Sequence, residues 1–102
     1  MEILGTTIDT RAIAEGFCGK ILEAYGRDML GAVAMGVVPE GMKEGIEDAL
    51  FERYDTLRFY KDGVELTDAE RAEYRPVVVA KLAREVLKDM GEYLRRRVDL
   101  LG

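Results

Sequence analysis

The stretch LRFYKDGVELTDAE, residues 57–70, decides the fold more than any other part of the chain. Apolar and polar side chains alternate on either side of Asp62-Gly63, a dipeptide typical of the two-residue type I′ turn. The pattern predicts a β-hairpin over about residues 56–66. Directly after it, Thr67-Asp-Ala-Glu70 has the spacing of a capping box, which predicts that a helix begins there.

Apolar residues recur at helical spacing beyond this capping box. They predict a long C-terminal helix, which Pro76 either kinks or divides. The apolar stripe is wider than one neighbouring helix of the same chain need cover, so we expect it to form the seam of an isologous dimer. The residues expected at this interface are Val79, Val86, Met90, Tyr93 and Leu94, and the stripe continues to Val98 and Leu101.

The N-terminal part of the chain predicts a short strand and a helix. Residues 2–8 have the character of a strand, although Gly5 weakens it. Asp9 or Thr10 is a suitable cap for a helix that runs to about Tyr25, where Gly26 is a plausible terminator.

The segment over residues 29–38 is ambiguous, because it is apolar on every side and contains two glycines. A buried strand and a short buried helix both have this pattern, and the strand is slightly favoured. Pro39 then suits the first position of a helix that runs to about Tyr54. We therefore expect one domain over residues 1–102, of α+β class, with three or four helices and a small sheet that includes the hairpin; a winged-helix-like, mainly α fold is the alternative.

Four carboxylates recur every fourth residue on the helix that follows Pro39. They are predicted to line one face of it and are here called the acidic ridge: Glu40, Glu44, Asp48 and Glu52. Like charges at this spacing repel, so we expect solvent, arginines of the same chain or of another subunit, or a basic protein partner to compensate them. A metal site is disfavoured, since carboxylates on successive turns of one helix rarely converge without a second element. Gly41 and Gly45, on the same helix, have the GxxxG spacing, which in a soluble helix indicates close packing or a turn.

The composition disfavours most catalytic and metal-binding classes. The chain has no His and one Cys, so the usual general base, the usual zinc ligands and an internal disulfide are missing. No phosphate-binding glycine motif occurs, and we expect no cofactor and no metal. Cys18, next to Phe17 on the first helix, is expected to be an inert core residue. The remaining possibility for an enzyme or ligand-binding protein is a pocket that uses Tyr and Glu side chains.

Charge and composition also bear on habitat and partners. The net charge is −5, with 4 basic and 10 acidic residues in 1–52 against 11 basic and 10 acidic residues in 53–102. A negative chain is at a disadvantage against nucleic acids and anionic membranes. The absence of Asn and Gln fits a thermophilic source. No signal peptide or membrane span is recognisable, so we expect a cytoplasmic protein.

The order of the predicted helices, the hairpin and the long last helix is similar to that of winged-helix regulators. The resemblance rests mainly on Glu65-Leu-Thr-Asp-Ala-Glu-Arg71, which looks like the passage from wing to helix in that class. It implies a DNA-binding regulator that dimerises through its C-terminal helix. The recognition helix would then be residues 40–53. This segment has two basic residues, Lys43 and Arg53, and five acidic ones, which disfavours DNA binding. The favoured hypothesis is a small, non-catalytic protein-interaction domain that self-associates as a homodimer.

Overall fold

The computed structural model describes residues 1–97 and 99. This part of the chain forms four helices and two small antiparallel sheets, an α+β, mostly helical architecture that confirms the expected fold class. Val98 and Leu101, expected to continue the apolar stripe, lie outside the described residues. In chain order the elements are β1 (Glu2–Ile3), β2 (Thr6–Thr7), α1 (Thr10–Tyr25), α2 (Arg27–Ala34), α3 (Glu40–Thr56), β3 (Tyr60–Lys61), β4 (Val64–Glu65) and α4 (Asp68–Arg96).

The predicted β3–β4 hairpin and capping box are both confirmed. Asp62 and Gly63 have φ angles of 53° and 79°, the positive values that a type I′ turn requires. At the start of α4 the Thr67 side chain accepts a hydrogen bond from the Glu70 backbone N–H at 3.2 Å, and the Glu70 carboxylate accepts one from the Thr67 N–H at 3.0 Å. The bond from the Thr67 N–H, aided by the Thr67 hydroxyl, lowers the pKa of the Glu70 carboxyl group. Pro76 lies inside α4, so the helix is not divided there.

The strand expected over residues 2–8 is instead a tight hairpin, β1–β2. Leu4 and Gly5 form its turn with φ angles of 46° and 69°. A β-carbon at Gly5 would lie 3.1 Å from the Tyr60 β-carbon, because the Tyr60 N–H donates a hydrogen bond to the Leu4 carbonyl at 2.7 Å. Glycine therefore serves both the turn and the close approach of the second hairpin.

The strand favoured for residues 29–38 is wrong, because α2 occupies the first part of this segment. Leu30 and Val33 are buried at helical spacing, and the helix packs against both α1 and α4. Burial against two helices offsets the low helix propensity of Gly31. Beyond Ala34 the chain turns at Gly36, whose φ is 84°, and Pro39 is the residue that precedes α3 rather than its first residue.

Helix α4 is the central element of the molecule. At 29 residues it is about 43 Å long, and the molecule measures 48 × 24 × 19 Å. Helices α1, α2 and α3 all pack against α4, and α1 also packs against α2. Asp9 caps α1 through a hydrogen bond from the Ala12 N–H to its carboxylate at 3.1 Å, which confirms the expected start of that helix. The arrangement leaves α1 and α3 as neighbours across a gap on one side of α4.

Candidate functional site

The acidic ridge lies on α3, and all four of its carboxylates are exposed. The opposite face of α3 is buried through Ile46, Leu50 and Tyr54. Within the described part of the chain, no Lys or Arg nitrogen lies within 4.0 Å of a ridge carboxylate, and no cluster of three metal-ligating side chains occurs. The ridge is therefore a solvated line of negative charge for which the described chain supplies no close counter-charge.

A groove between α1 and α3 lies beside one end of the ridge. It consists of two hollows of about 430 Å³ and about 110 Å³, which share Phe17, Lys20 and Arg53. Phe17 is half-buried there, whereas Lys20 and Arg53 are exposed. We call this feature the α1–α3 groove, and its other lining residues are Ala12, Ile13, Gly16, Ala49, Glu52 and Thr56. Glu52 thus belongs both to the ridge and to the groove.

The stripe expected to form a dimer seam is mostly covered by the chain itself. Val79 is 2% exposed, and Val86, Met90 and Leu94 are fully buried, while Tyr93 is half-buried. Three helices rather than one pack against α4, so the width of the stripe no longer argues for a second copy. Self-association stays a prediction, but these side chains are not available to form its contact surface in this conformation.

The three arginines at the end of α4 have separate partners. Arg95 donates a hydrogen bond to the Ala34 carbonyl at the end of α2 at 3.4 Å. Arg97 donates two hydrogen bonds to the Asp99 carboxylate, from Nε at 3.1 Å and from Nη2 at 3.0 Å. This pairing raises the pKa of Arg97 and lowers that of Asp99. Arg96 lines a narrow cleft of about 40 Å³ beside Tyr93. Arg95 thus joins α4 to α2, whereas the ion pair of Arg97 is local to the end of α4.

Asp89 is a buried carboxylate that the sequence analysis missed. It is 7% exposed, and the Thr10 hydroxyl at the start of α1 donates a hydrogen bond to it at 2.6 Å. It lines both the narrow cleft and an adjoining hollow of about 390 Å³ along α1 and α4. Its position in the sequence could have indicated that it is buried, because an acid between Val86 and Met90 interrupts an otherwise apolar face of the helix. The negative charge also suits the N-terminus of α1.

Cys18 and the tyrosines offer little reactive chemistry. Burial, aided by the nearby Glu15 carboxylate, raises the pKa of the Cys18 thiol to about 11, so the thiol stays protonated at neutral pH. The Tyr54 hydroxyl donates a hydrogen bond to the Arg71 carbonyl at 2.7 Å, and burial raises the pKa of Tyr54. Tyr93 adjoins Asp89 in the narrow cleft, whose volume has room for little more than a water molecule.

A hollow of about 710 Å³ lies where the β3–β4 hairpin meets the end of α3 and the start of α4. Its central side chain is Arg71, whose guanidinium donates hydrogen bonds to the Leu57 carbonyl at 2.8 Å and the Tyr54 carbonyl at 3.1 Å. It also lies over the rings of Tyr54 and Phe59, which stack on each other. Arg71 is thus occupied in holding the end of α3, and the hollow is a structural junction.

The fold and these surfaces define a small α+β domain whose most distinctive features are the acidic ridge and the α1–α3 groove. Comparison with known proteins finds no matching family model, no matching curated protein and no matching solved structure. Among the described residues, no helix is long and apolar enough to cross a membrane.

Proposed function

We propose that this chain is a small, non-catalytic protein-interaction domain that self-associates. The observation that carries the proposal is the exposure of α3. Only one side of this helix is buried, while its outward side presents a line of carboxylates with no Lys or Arg nitrogen of the described chain within 4.0 Å. Like charges four residues apart cost free energy in an isolated helix, and an oppositely charged partner surface would recover it.

The state of the potentially reactive groups also supports a contact role. The single thiol is buried with a raised pKa, and the Tyr54 hydroxyl and the Arg71 guanidinium are engaged with backbone carbonyls. Each of these groups has a structural explanation within one chain. No contact within the described chain explains the acidic ridge, and this contrast favours a binding role over a catalytic one.

Native mass spectrometry of the purified, untagged protein tests this proposal. We expect the main species to have twice the mass of the chain, with the dimer fraction rising with protein concentration and falling with salt, since exposed charges are screened. Size-exclusion chromatography with light scattering gives the solution mass independently. A monomer at every concentration in both measurements would overturn self-association. Extra mass would instead identify a bound ligand.

A winged-helix DNA-binding regulator is the second candidate. The observation in its favour is the order of elements, in which α2 and α3 are followed by a two-stranded hairpin and a long last helix. The helix that would enter the major groove is α3, and its exposed face carries the acidic ridge. Phosphate repulsion opposes such docking, so the protein-interaction domain is preferred.

A further inference from the structure

We infer that the α1–α3 groove is the self-association surface, and that it receives helix α3 of a second copy in an antiparallel, two-fold arrangement. This inference rests on the proposed self-association and adds the surface and the contacts. The proposed interface is therefore not the apolar stripe of α4, because the other helices of the chain already cover most of that stripe.

The groove lies between two helices, which is a place where a third helix can pack. Both α1 and α3 pack against α4, and the hollows between them are lined from both helices. Phe17 and Ala49 are half-buried and contribute apolar surface to this gap. A helix seated there would contact α1 and α3 together, as neighbouring helices do in a bundle.

Glycines at the groove are unexplained by the single chain. A β-carbon added at Gly16, which lines the groove, would meet no atom within 4 Å, and the same holds at Gly45, one turn before Ala49 on α3. Glycine lowers helix stability relative to alanine, and neither position needs a positive φ. Small residues at a helix surface allow a second helix to come close, and Gly16 leaves that room at the groove, as Gly19 and Gly41 do elsewhere on α1 and α3.

The charges of the surface are complementary to themselves. Lys20 and Arg53 lie at the groove, and within the described chain no carboxylate oxygen lies within 4.0 Å of either cation. The acidic ridge is likewise unpaired and ends at the same groove with Glu52. A two-fold axis near Ala49 sets Glu44 and Asp48 of one copy against the cations of the other, and the reverse, as an isologous interface demands. The occupant that the surface fits is therefore a second copy of this chain.

Two charge-reversed variants test the surface. Lys20→Glu with Arg53→Glu makes the groove acidic like the ridge, and Glu44→Lys with Asp48→Lys makes the two ridge positions that face the groove basic like Lys20 and Arg53. We expect each variant alone to dimerise about tenfold more weakly or worse, since apposed like charges are costly. Mixed in equal amounts, the two are expected to form a heterodimer at wild-type strength. Native mass spectrometry distinguishes the heterodimer because the two variants differ in mass.

Matched controls separate the surface from general charge and helix effects. Lys81→Glu with Arg84→Glu, at exposed positions of α4 outside the groove, changes the net charge as the first variant does and should leave the dimer intact. Gly16→Ala is expected to weaken dimerisation about fivefold or more through overpacking. Gly19→Ala, on the same helix with equally open surroundings but outside the groove lining, should not weaken it.

The possible results distinguish a failure of self-association from a failure of the proposed surface. A monomeric wild type overturns self-association and this surface with it. A wild-type dimer that survives both charge reversals, or two variants that fail to pair when mixed, overturns the surface and leaves self-association standing. Circular dichroism of every variant establishes that loss of the dimer is not loss of the fold.

Discussion

At the scale of single residues, Asp89 and Thr10 form the most consequential polar contact in the core. The carboxylate is 7% exposed at the junction of α1 and α4, where an unpaired charge would be costly. The Thr10 hydroxyl pairs with it at 2.6 Å, and the N-terminus of α1 favours a negative charge at this place. The pair thereby fixes the start of α1 on α4.

Replacing Asp89 by Ala should destabilise the protein by about 1–3 kcal/mol, since the buried Thr10 hydroxyl loses its acceptor. Urea denaturation followed by circular dichroism measures this change. A double-mutant cycle with Thr10→Val should give a coupling free energy of about 0.5–3 kcal/mol. Additive effects of the two substitutions would contradict the contact. Glu73→Ala, at an exposed position of the same helix, is the control and should change stability by no more than about 0.5 kcal/mol.

At the scale of elements, short sequence motifs correctly predicted the elements that depend on interactions between residues close together in the chain. The β3–β4 hairpin and the start of α4 are where the sequence placed them, because Asp62-Gly63 and the Thr67–Glu70 box act within a few residues. The segment over residues 29–38 was mistaken for a strand because its composition suits either state. Contacts with α1, which directly precedes it, and with α4, which is far away in sequence, decide for a helix.

The same division separates the predicted and the missed parts of the candidate site. The acidic ridge follows from four-residue spacing on one helix, so its exposure on α3 could be predicted. The α1–α3 groove depends on how two helices are placed on a third, and no periodicity in either helix contains that information. Likewise, the five residues expected at the dimer seam formed a correct helix stripe. What the stripe could not show is that α1, α2 and α3 already cover most of it.

The junction between α3 and α4 depends on the forked guanidinium of Arg71. Arg71→Lys keeps the charge but cannot bond both the Leu57 and Tyr54 carbonyls in the same plane while lying over two rings. We expect a loss of about 1–2 kcal/mol in the free energy of unfolding, as for a hydrogen bond to a charged group. Chemical denaturation is the measurement. Arg84→Lys, exposed on the same helix, should be neutral, and an equally small effect at Arg71 would contradict the assigned role.

At the scale of the whole molecule, the shape is elongated and the charge is distributed unevenly along the chain. Helix α4 spans most of the 48 Å length, and the first half of the chain carries the negative excess. A thin molecule buries a smaller share of its surface than a round one, so an additional helix contact adds usefully to its stability. The thermophilic source and the cytoplasmic location stay predictions from composition.

The net charge of −5 predicts how the chain behaves towards DNA. Because α3 presents the acidic ridge, we expect no binding to duplex DNA even at about 50 mM salt, where phosphate contacts are strongest. Fluorescence anisotropy with labelled duplexes of mixed sequence is the measurement. Replacing all four ridge acids by Lys makes the net charge positive and should produce salt-sensitive binding, which shows that the assay can respond. Binding by the wild type under these conditions would favour the winged-helix regulator, because a negative chain that still holds DNA needs a dedicated contact surface.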